Sequence, residues 1–183
     1  MSKSNRTPKL IQIPLPIPGS TLSFKTTRGD SVVIDAVDAD LLSMSWYSMT
    51  SSTNRLTYVA SIVMVDGKRK YVLLHRLIMA RVVGRELSRH ELTDHINMDT
   101  FNNSRSNLRL ATHQQNQYNV PKRKDNTSGY KGVTYVKRLN KWGASIKANG
   151  KAVNLGYFET PEEAHAKYCE KAKELHGEYF RSE

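Results

Sequence analysis

Alternating apolar and polar positions divide the first half of the chain into short strands separated by turn-forming residues. Runs at Thr21–Phe24 and Ser31–Ile34 predict one hairpin. Thr57–Val65 and Lys68–Leu74 predict another, because Asp66-Gly67 between them tolerates positive φ at both residues. We therefore expect small antiparallel sheets in this half of the chain.

Two helical segments interrupt these strands. Asp38 is the candidate N-cap of a short helix that carries an apolar Leu-Leu pair. The apolar run 74–83 predicts a buried helix that ends at Gly84, and His75 at its start is more simply explained as a partly buried ring than as a catalytic one. Residues 7–20 hold four of the six prolines and predict an extended entry.

Polar residues then interleave with a strand–turn–strand–helix pattern. Leu92–Ile96 and Asn107–Ala111 predict two strands around a turn-rich segment. Thr112 opens a helix, and Gln115 three residues later completes a capping box. The order predicts a compact ββα unit.

The last third of the chain predicts three strands and one helix. The strands are Tyr130–Val136, Trp142–Ala148 and Lys151–Phe158, with Asn149-Gly150 as the turn between the last two. In the middle strand apolar residues alternate with small, polar or basic ones, so one face is expected to be buried and the other exposed.

The helix signals after the third strand are strong. Thr160 is the expected N-cap, Pro161 the first helical residue, and Glu163 the partner in a capping box. Gly177 is the expected stop. The apolar stripe predicted to lie on the sheet consists of Ala164, Tyr168, Ala172 and Leu175.

Composition favours a polyanionic partner. The 183 residues carry a formal net charge of +11 and a sequence pI near 9.8. Residues 122–151 contain nine Lys or Arg and one acid, whereas residues 161–183 contain four and six. We expect the strands to carry the positive charge, which fits binding in the major groove of DNA.

Composition also excludes several classes. No apolar run approaches the roughly 20 residues of a membrane helix, and no apolar h-region follows the basic N-terminus. Cys169 is the only cysteine, which excludes intrachain disulfides and multi-cysteine zinc sites. We expect an intracellular protein of a bacterium or of a phage-infected cell, neither secreted nor membrane-bound.

These patterns predict an α+β chain of two folded units. The expected divisions are an extended segment at 1–20, a first domain at 21–120, a linker at 121–127 and a second domain at 128–183. The linker contains a basic triplet that is either a solvated tether or an arm that follows phosphates.

The candidate chemistry lies in the ββα unit. Asp94 and His95 are adjacent, Asn107 follows His95 by 12 residues and Asn116 by 21. A carboxylate beside an imidazole can hold a metal ion while the ring takes a proton from water, and amide oxygens can ligate a hard cation. The set predicts metal-assisted phosphodiester hydrolysis.

The same residues resemble two known families. The region from Asp94-His95-Ile96-Asn97 through Asn107-Leu108-Arg109 to Asn116 resembles the HNH endonuclease motif of the homing-endonuclease kind. Residues 128–181 are similar to the AP2/ERF DNA-binding domain, a three-stranded antiparallel sheet with one packed helix. Its matching pieces are Ser128-Gly129-Tyr130-Lys131-Gly132-Val133, Lys141-Trp142-Gly143-Ala144, Leu155-Gly156-Tyr157-Phe158 and Glu162-Glu163-Ala164.

The HNH resemblance implies a role for each residue of the site. His95 would be the general base, Asp94 a metal ligand, and Asn107 the residue that orients the His95 ring. Asn116 stands where the motif often has His, so Mg²⁺ or Mn²⁺ is expected rather than Zn²⁺. His113 is a fallback ligand.

The AP2 resemblance implies a DNA-binding surface. Trp142 could instead pack into the sheet, which its alternation with apolar residues favours. The residues expected to contact DNA are Lys131, Gly132, Thr134, Lys137, Arg138, Lys141, Trp142, Ser145, Lys147 and Asn154, together with Arg105 and Arg109 of the ββα unit.

The expected activity is therefore a metal-dependent endonuclease of the homing type that acts on double-stranded DNA. With one set of site residues it would nick one strand at a time, as a monomer or weak dimer. The first alternative is a non-catalytic DNA-binding transcriptional regulator with a degenerate HNH site. A basic RNA- or ribosome-associated protein is the second.

Overall fold

The computed structural model describes residues 19–53, 55–120, 122, 125–148 and 150–182. Residues 7–18 of the extended entry predicted at 7–20, and most of the basic triplet, lie outside this part of the chain. The fold is α+β, with small antiparallel sheets, as predicted. Within the described ranges no helix is long and apolar enough to cross a membrane. The strands are β1 Thr21–Lys25, β2 Ser31–Asp35, β3 Tyr47–Thr50, β4 Thr57–Val65, β5 Lys68–Leu73, β6 Leu92–His95, β7 Leu108–Ala111, β8 Val133–Val136, β9 Lys141–Ala148 and β10 Lys151–Phe158. The α-helices are α1 Leu74–Val83, α2 His113–Tyr118 and α3 Pro161–His176.

The hairpins form where the sequence predicts them. β1 pairs with β2, and β4 pairs with β5. Asp66 and Gly67 have φ of 51° and 70°, which is the left-handed geometry that a two-residue turn requires. The strand β3 was not predicted, and it pairs with β4 to complete a three-stranded sheet.

The predicted helix start at Asp38 is wrong. A 3₁₀ helix spans Ala36–Ser43, and its N-cap is Asp35. Asp38 lies inside it, fully buried, and forms ion pairs with Arg81 and Arg105. The reason is long-range: the carboxylate neutralises two cations far along the chain, which outweighs its local preference for a cap.

One apolar core holds the first unit together. Trp46, Ile34, Val59 and Ile78 are buried in it, and Leu108 of β7 joins them. The helix α1 ends at Gly84, which adopts the left-handed C-cap conformation with φ 71° and ψ 19°, as predicted. The core therefore fixes the β6–β7 hairpin against α1, next to the candidate site.

The ββα unit forms with small shifts at its boundaries. β6 pairs antiparallel with β7, and Asp94 lies opposite Arg109. The second strand begins at Leu108, because Asn107 closes a 3₁₀ turn that spans Arg105–Asn107. The capping box of α2 is present: the Thr112 side chain accepts from the Gln115 N–H, and the Gln115 side chain accepts from the Thr112 N–H.

The last unit is the predicted three-stranded sheet, in the order β10-β9-β8, with α3 packed on one face. The first strand starts at Val133 rather than Tyr130. The Thr160 capping box, the first-turn proline and the stop at Gly177 are all present. Leu175 is exposed, contrary to prediction, and His176 takes the last buried position of the helix. Asn149 and the side chain of Ala148 lie outside the description.

Candidate functional site

A cleft of about 530 Å³ opens where β6, α1 and α2 meet. Asp94, His95 and Asn116 all line it, together with His75 and His113. Its other walls are largely apolar, including Leu56, Leu73 and Met98. The structure therefore brings three of the four predicted site residues to one concave surface.

His95 is buried at the end of β6 and its ring is fixed by Asn103. The His95 Nε2 lies 3.3 Å from the Asn103 Oδ1, and the Asn103 amide nitrogen donates to the Thr100 carbonyl at 3.2 Å. That second bond turns the amide oxygen toward the ring, so His95 donates from Nε2 and keeps the lone pair on Nδ1. Burial lowers the pKa of His95 below its usual value, although the Asn103 contact and Asp94 oppose the shift. The ring is therefore neutral near pH 7.

Asn107 acts on the loop rather than on the ring. Its Oδ1 accepts from the Asn97 N–H at 3.0 Å, and its Nδ2 donates to the Asn102 carbonyl at 2.7 Å. The predicted direct orientation of His95 by Asn107 is thus wrong, since Asn103 makes that contact. The Asn107 amide thus bonds to Asn97 and Asn102, the two ends of the loop that leads into Asn103.

Asp94 is held from two sides. The Arg109 Nε and Nη2 lie 2.9 and 2.8 Å from its Oδ2. The Asn119 Nδ2 lies 3.0 Å from Oδ1 and 3.2 Å from Oδ2, and it also donates to the His95 carbonyl at 3.0 Å. Asp94 and Asn119 are both buried. The carboxylate therefore has a fixed orientation at the edge of the cleft.

The donor set fits a hard cation. Asp94 and Asn116 supply a carboxylate and an amide oxygen to the same cleft. Among the residues that the structure describes, no group of three His, Cys, Asp or Glu is placed to hold a metal ion. A site with only a few protein ligands, all with oxygen donors, suits Mg²⁺ or Mn²⁺ better than zinc. These ions keep bound waters and take phosphate oxygens as further ligands.

His75 is more buried than the sequence suggested. Its ring meets the His95 ring edge-on at 5.2 Å between centroids and 61° between planes. Burial, with His95 and Arg76 as smaller causes, lowers the pKa of His75 to about 3. The His75 Nδ1 is buried without a hydrogen-bond partner within the described ranges. A neutral imidazole therefore backs the His95 ring.

The sheet of the last unit presents a second surface, on the face opposite α3. Ala144 and Ile146 face the helix and are buried, so the alternate residues of β9 face outward. Thr134 is opposite Gly143 on this outer face, and Ser145 pairs with Asn154. The exposed residues expected to contact DNA are Thr134, Lys137, Arg138, Ser145, Lys147 and Asn154. This set is polar and basic, as a phosphate-contacting surface requires.

Two residues predicted to contact DNA hold the fold instead. The Lys131 ammonium donates to the carbonyls of Tyr118, Val120 and Arg181 at 2.9, 2.7 and 3.3 Å. Gly132 has φ 77°, and a Cβ there would lie 2.1 Å from a ring carbon of Tyr168. Their side-chain positions face protein, so a contact with DNA is not supported for either.

The two arginines of the ββα unit are likewise paired with carboxylates. Arg105 binds Asp38 with Nε–Oδ2 and Nη2–Oδ1 distances of 2.9 Å. Arg109 is nearly buried against Asp94. Both guanidinium groups thus serve buried carboxylates, and a contact with DNA is not supported for either.

Two aromatic or basic residues of the sheet are also reassigned. Trp142 packs against the cluster that includes Val133 and Ala144, on the helix side of the sheet, which favours its alternative role in the core. Lys141 lies at the start of β9 and pairs with Glu159 at 2.7 Å, so its charge is partly neutralised.

Sequence reasoning missed Asn103 and Asn119 as parts of the site. Asn103 is fully buried, and its only signal in the sequence is a turn-forming Asn-Asn pair, which does not indicate a contact with His95. Asn119 follows the end of α2 and has no spacing relative to Asp94 that marks it in the sequence. Both roles depend on contacts made only after the ββα unit has folded.

Comparisons with known proteins agree with the family resemblances predicted for both regions. Residues 72–118 match the family model described as HNH endonuclease, and residues 128–178 match the AP2 domain. An uncharacterized HNH endonuclease of Acanthamoeba polyphaga mimivirus is 37% identical over 106 residues, which are 58% of this chain and 54% of that protein. Protein 3.8 of Escherichia phage T7 is 35% identical over 88 residues, which are 48% of this chain and 72% of that protein. The chain thus spans about half the length of the mimivirus relative. No solved structure gives a significant match.

Proposed function

Because the chain belongs to the HNH endonuclease family and carries an AP2 domain, we propose that it is a metal-dependent DNA endonuclease of the homing type. It hydrolyses phosphodiester bonds and is directed to its target by the AP2 domain. The observation that carries this proposal is the shared cleft of Asp94, His95 and Asn116, with His95 already oriented by Asn103.

Asp94 and Asn116 would hold one Mg²⁺ or Mn²⁺ ion in the cleft. When bound, such an ion stabilises the negative charge that develops on the phosphate and on the leaving oxygen. Asp94 fits this role because Arg109 and Asn119 hold its carboxylate in place. The amide of Asn116 is the second oxygen donor, and His113 is the alternative donor on the same helix.

His95 acts as the general base. Its lone pair on Nδ1 takes a proton from the attacking water, which the neutral ring can do because burial lowers its pKa. The Asn103 Oδ1 accepts a hydrogen bond from the Nε2–H, which keeps the ring in this tautomer. Asn107 supports the arrangement indirectly, since it holds the loop that carries Asn103.

The substrate that fits the surface is double-stranded DNA. The outer face of the AP2 sheet carries Lys147 with Ser145 and Asn154, and the turn before β9 carries Lys137 and Arg138. A twisted antiparallel sheet with exposed cations can enter the major groove and contact phosphates. We propose the domain limits 21–120 and 128–183 on the same basis, since the two regions have separate apolar clusters.

One active-site set per chain supports nicking of a single strand by a monomer or weak dimer. The site of action would be the interior of a bacterial or phage-infected cell, where its DNA substrate is found. The phage origin of one relative, protein 3.8 of Escherichia phage T7, supports this setting.

The proposal is tested by incubating supercoiled plasmid with the purified protein and Mg²⁺, Mn²⁺ or Zn²⁺. We expect open-circular product with Mg²⁺ or Mn²⁺, and loss of most activity in His95→Ala and Asp94→Ala. His90→Ala is the matched control, because His90 is an exposed histidine away from the cleft. If His95→Ala nicks DNA as fast as the parent, the assignment of the base is wrong.

The alternatives give different results in the same system. A DNA-binding regulator with a degenerate site would bind duplex DNA without cleaving it under any of these metals. An RNA-associated protein would be displaced from duplex DNA by an equal concentration of structured RNA.

For binding, Lys147→Ala should lower the slope of log affinity against log salt by about 0.9 per lost phosphate contact. Lys171→Ala on α3, which pairs with Glu174, should leave the slope unchanged.

A further inference from the structure

Arg109 joins the carboxylate of the site to the AP2 domain. Its Nε and Nη2 face the Asp94 Oδ2, and its Nη1 donates to the Glu178 carbonyl. The guanidinium also lies over the Tyr179 ring, with its central carbon 4.3 Å from the ring centroid. The side chains of Arg109 and Asp94 are only 10% and 7% exposed, so water competes poorly for these contacts.

The contacts with Asp94 are unequal between its two oxygens. Three donor atoms approach Oδ2: two nitrogens of Arg109 and the amide nitrogen of Asn119. In the described contacts Oδ1 receives only the Asn119 amide, at 3.0 Å. Arg109 thus turns the carboxylate so that Oδ1 is the oxygen with spare acceptor capacity.

The AP2 domain in turn fixes Arg109. Glu178 and Tyr179 belong to the 3₁₀ turn Gly177–Tyr179, which follows α3 directly. The Tyr179 hydroxyl donates to the Leu110 carbonyl of β7 at 2.7 Å. Just before this turn, the His176 ring stacks on Tyr118 of α2 at 3.5 Å between centroids and 9° between planes. The turn is therefore anchored on β7, which carries Arg109, and on α2, which carries Asn116.

We propose that Arg109 is a positioning residue for Asp94 and that docking of the 3₁₀ turn Gly177–Tyr179 sets the orientation of this carboxylate. The AP2 domain then contributes to metal affinity as well as to DNA binding. This inference rests on the proposed function, because it takes Asp94 as a metal ligand. Tyr179 acts through Arg109, because its ring contacts the guanidinium rather than Asp94. Loss of a partner that orients a metal ligand typically changes metal affinity about 10- to 100-fold.

The test is direct binding of Mn²⁺ to the full chain, followed by the electron paramagnetic resonance signal of free Mn²⁺. Tyr179→Leu removes the ring under Arg109, and we expect about 10-fold weaker Mn²⁺ binding. Tyr179→Phe keeps the ring and loses only the hydroxyl, so its affinity should stay within about twofold of the parent, given the retained cation–π contact. Arg109→Met keeps the aliphatic stem and should weaken Mn²⁺ binding at least as much as Tyr179→Leu.

Two controls separate this effect from general damage. Tyr135→Leu removes a ring of β8 that packs on Trp142, on the helix side of the AP2 sheet, and should not alter Mn²⁺ binding. DNA affinity measured in EDTA should be unchanged in Tyr179→Leu. If Tyr179→Leu weakens DNA binding but leaves Mn²⁺ affinity intact, docking serves only DNA binding and the proposal is overturned. Equal losses in Tyr179→Phe and Tyr179→Leu would also overturn it.

Asp94→Ala distinguishes this proposal from the one on which it rests. If Asp94→Ala abolishes Mn²⁺ binding while Tyr179→Leu and Arg109→Met match the parent, the positioning role fails and the metal site stands. If Asp94→Ala binds Mn²⁺ as well as the parent, the metal assignment itself fails.

Discussion

The cluster of Asp38, Arg81 and Arg105 allows a test of which unpaired charge lowers the unfolding free energy more, the buried carboxylate or the two cations. Asp38 has no exposed surface, and it receives two bonds of 2.9 Å from Arg105 and one of 3.2 Å from Arg81. The two arginine side chains are 35% and 33% exposed. Removing both cations leaves a buried carboxylate without a positive partner, whereas removing the carboxylate leaves two cations that can reach water.

These exposures set the expected magnitudes. An uncompensated buried charge destabilises a protein by about 3–5 kcal/mol, so Arg81→Met with Arg105→Met should lower the unfolding free energy by that amount. Asp38→Asn should cost about 1–2 kcal/mol, because it loses charge-assisted hydrogen bonds to groups that remain partly hydrated. Methionine keeps most of the apolar stem, which limits the loss of packing.

Trp46 provides the assay. It is buried in the same core, and its Nε1 donates to the Leu41 carbonyl in the 3₁₀ helix that contains Asp38. Urea unfolding followed by Trp46 fluorescence, in a Trp142→Phe background, reports on this unit alone. If Asp38→Asn destabilises the protein as much as the double arginine variant, the carboxylate is not the desolvated partner and the reasoning is refuted.

Three further predictions follow from single contacts. Gly132→Ala should lower the unfolding free energy by about 3 kcal/mol, because it adds backbone strain at φ 77° and a clash with Tyr168. Gly150 has φ 80° with no atom within 4 Å of the added Cβ, so Gly150→Ala should lower it by only about 1 kcal/mol. Equal losses in thermal unfolding would exclude the clash. The pKa of His75 falls to about 3 on folding, so the unfolded chain binds more protons below its ordinary pKa of 6.5. The unfolding free energy should therefore fall by about 1.4 kcal/mol per pH unit below that value. His75→Gln should reduce the proton uptake measured on urea unfolding at pH 5 by about one proton. If His75 is protonated in the folded protein, the substitution leaves this uptake unchanged. Lys131→Ala should lower stability by about 2 kcal/mol through its lost bonds to carbonyls; its salt slope for DNA should equal that of the parent, and a lower slope would restore Lys131 as a phosphate contact.

Local signals in the sequence predicted the elements well. The Asp66-Gly67 turn and the capping boxes at Thr112 and Thr160 each depend on residues within four positions of one another. Their geometry follows from φ preference and from hydrogen bonds to nearby N–H groups. Such signals survive folding because nothing distant competes with them.

Side-chain roles were harder to predict where the partner is distant. Arg105 and Arg109 look like DNA contacts in a basic sequence, but their partners Asp38 and Asp94 lie 67 and 15 residues away. The predicted DNA contact of Lys131 is unsupported for the same reason, since the carbonyls that accept from its ammonium group belong to α2 and to the C-terminal segment. Periodicity identifies which face of a strand is exposed, yet it carries no information on which cation finds a buried carboxylate.

Residues 105–109 show how these distant partners determine the site. Arg105 binds the N-terminal 3₁₀ helix through Asp38, Asn107 closes the loop that carries Asn103, and Arg109 binds Asp94 and the AP2 domain. The three residues occur at every second position, and Leu108 between the last two is buried in the core. Arg109 lies in β7, where a shift of one residue would turn it away from Asp94, whereas Arg105 and Asn107 belong to the 3₁₀ turn before the strand. The charges nearest the proposed chemistry are therefore neutralised within the protein, which leaves the exposed cations of the AP2 sheet to attract the DNA.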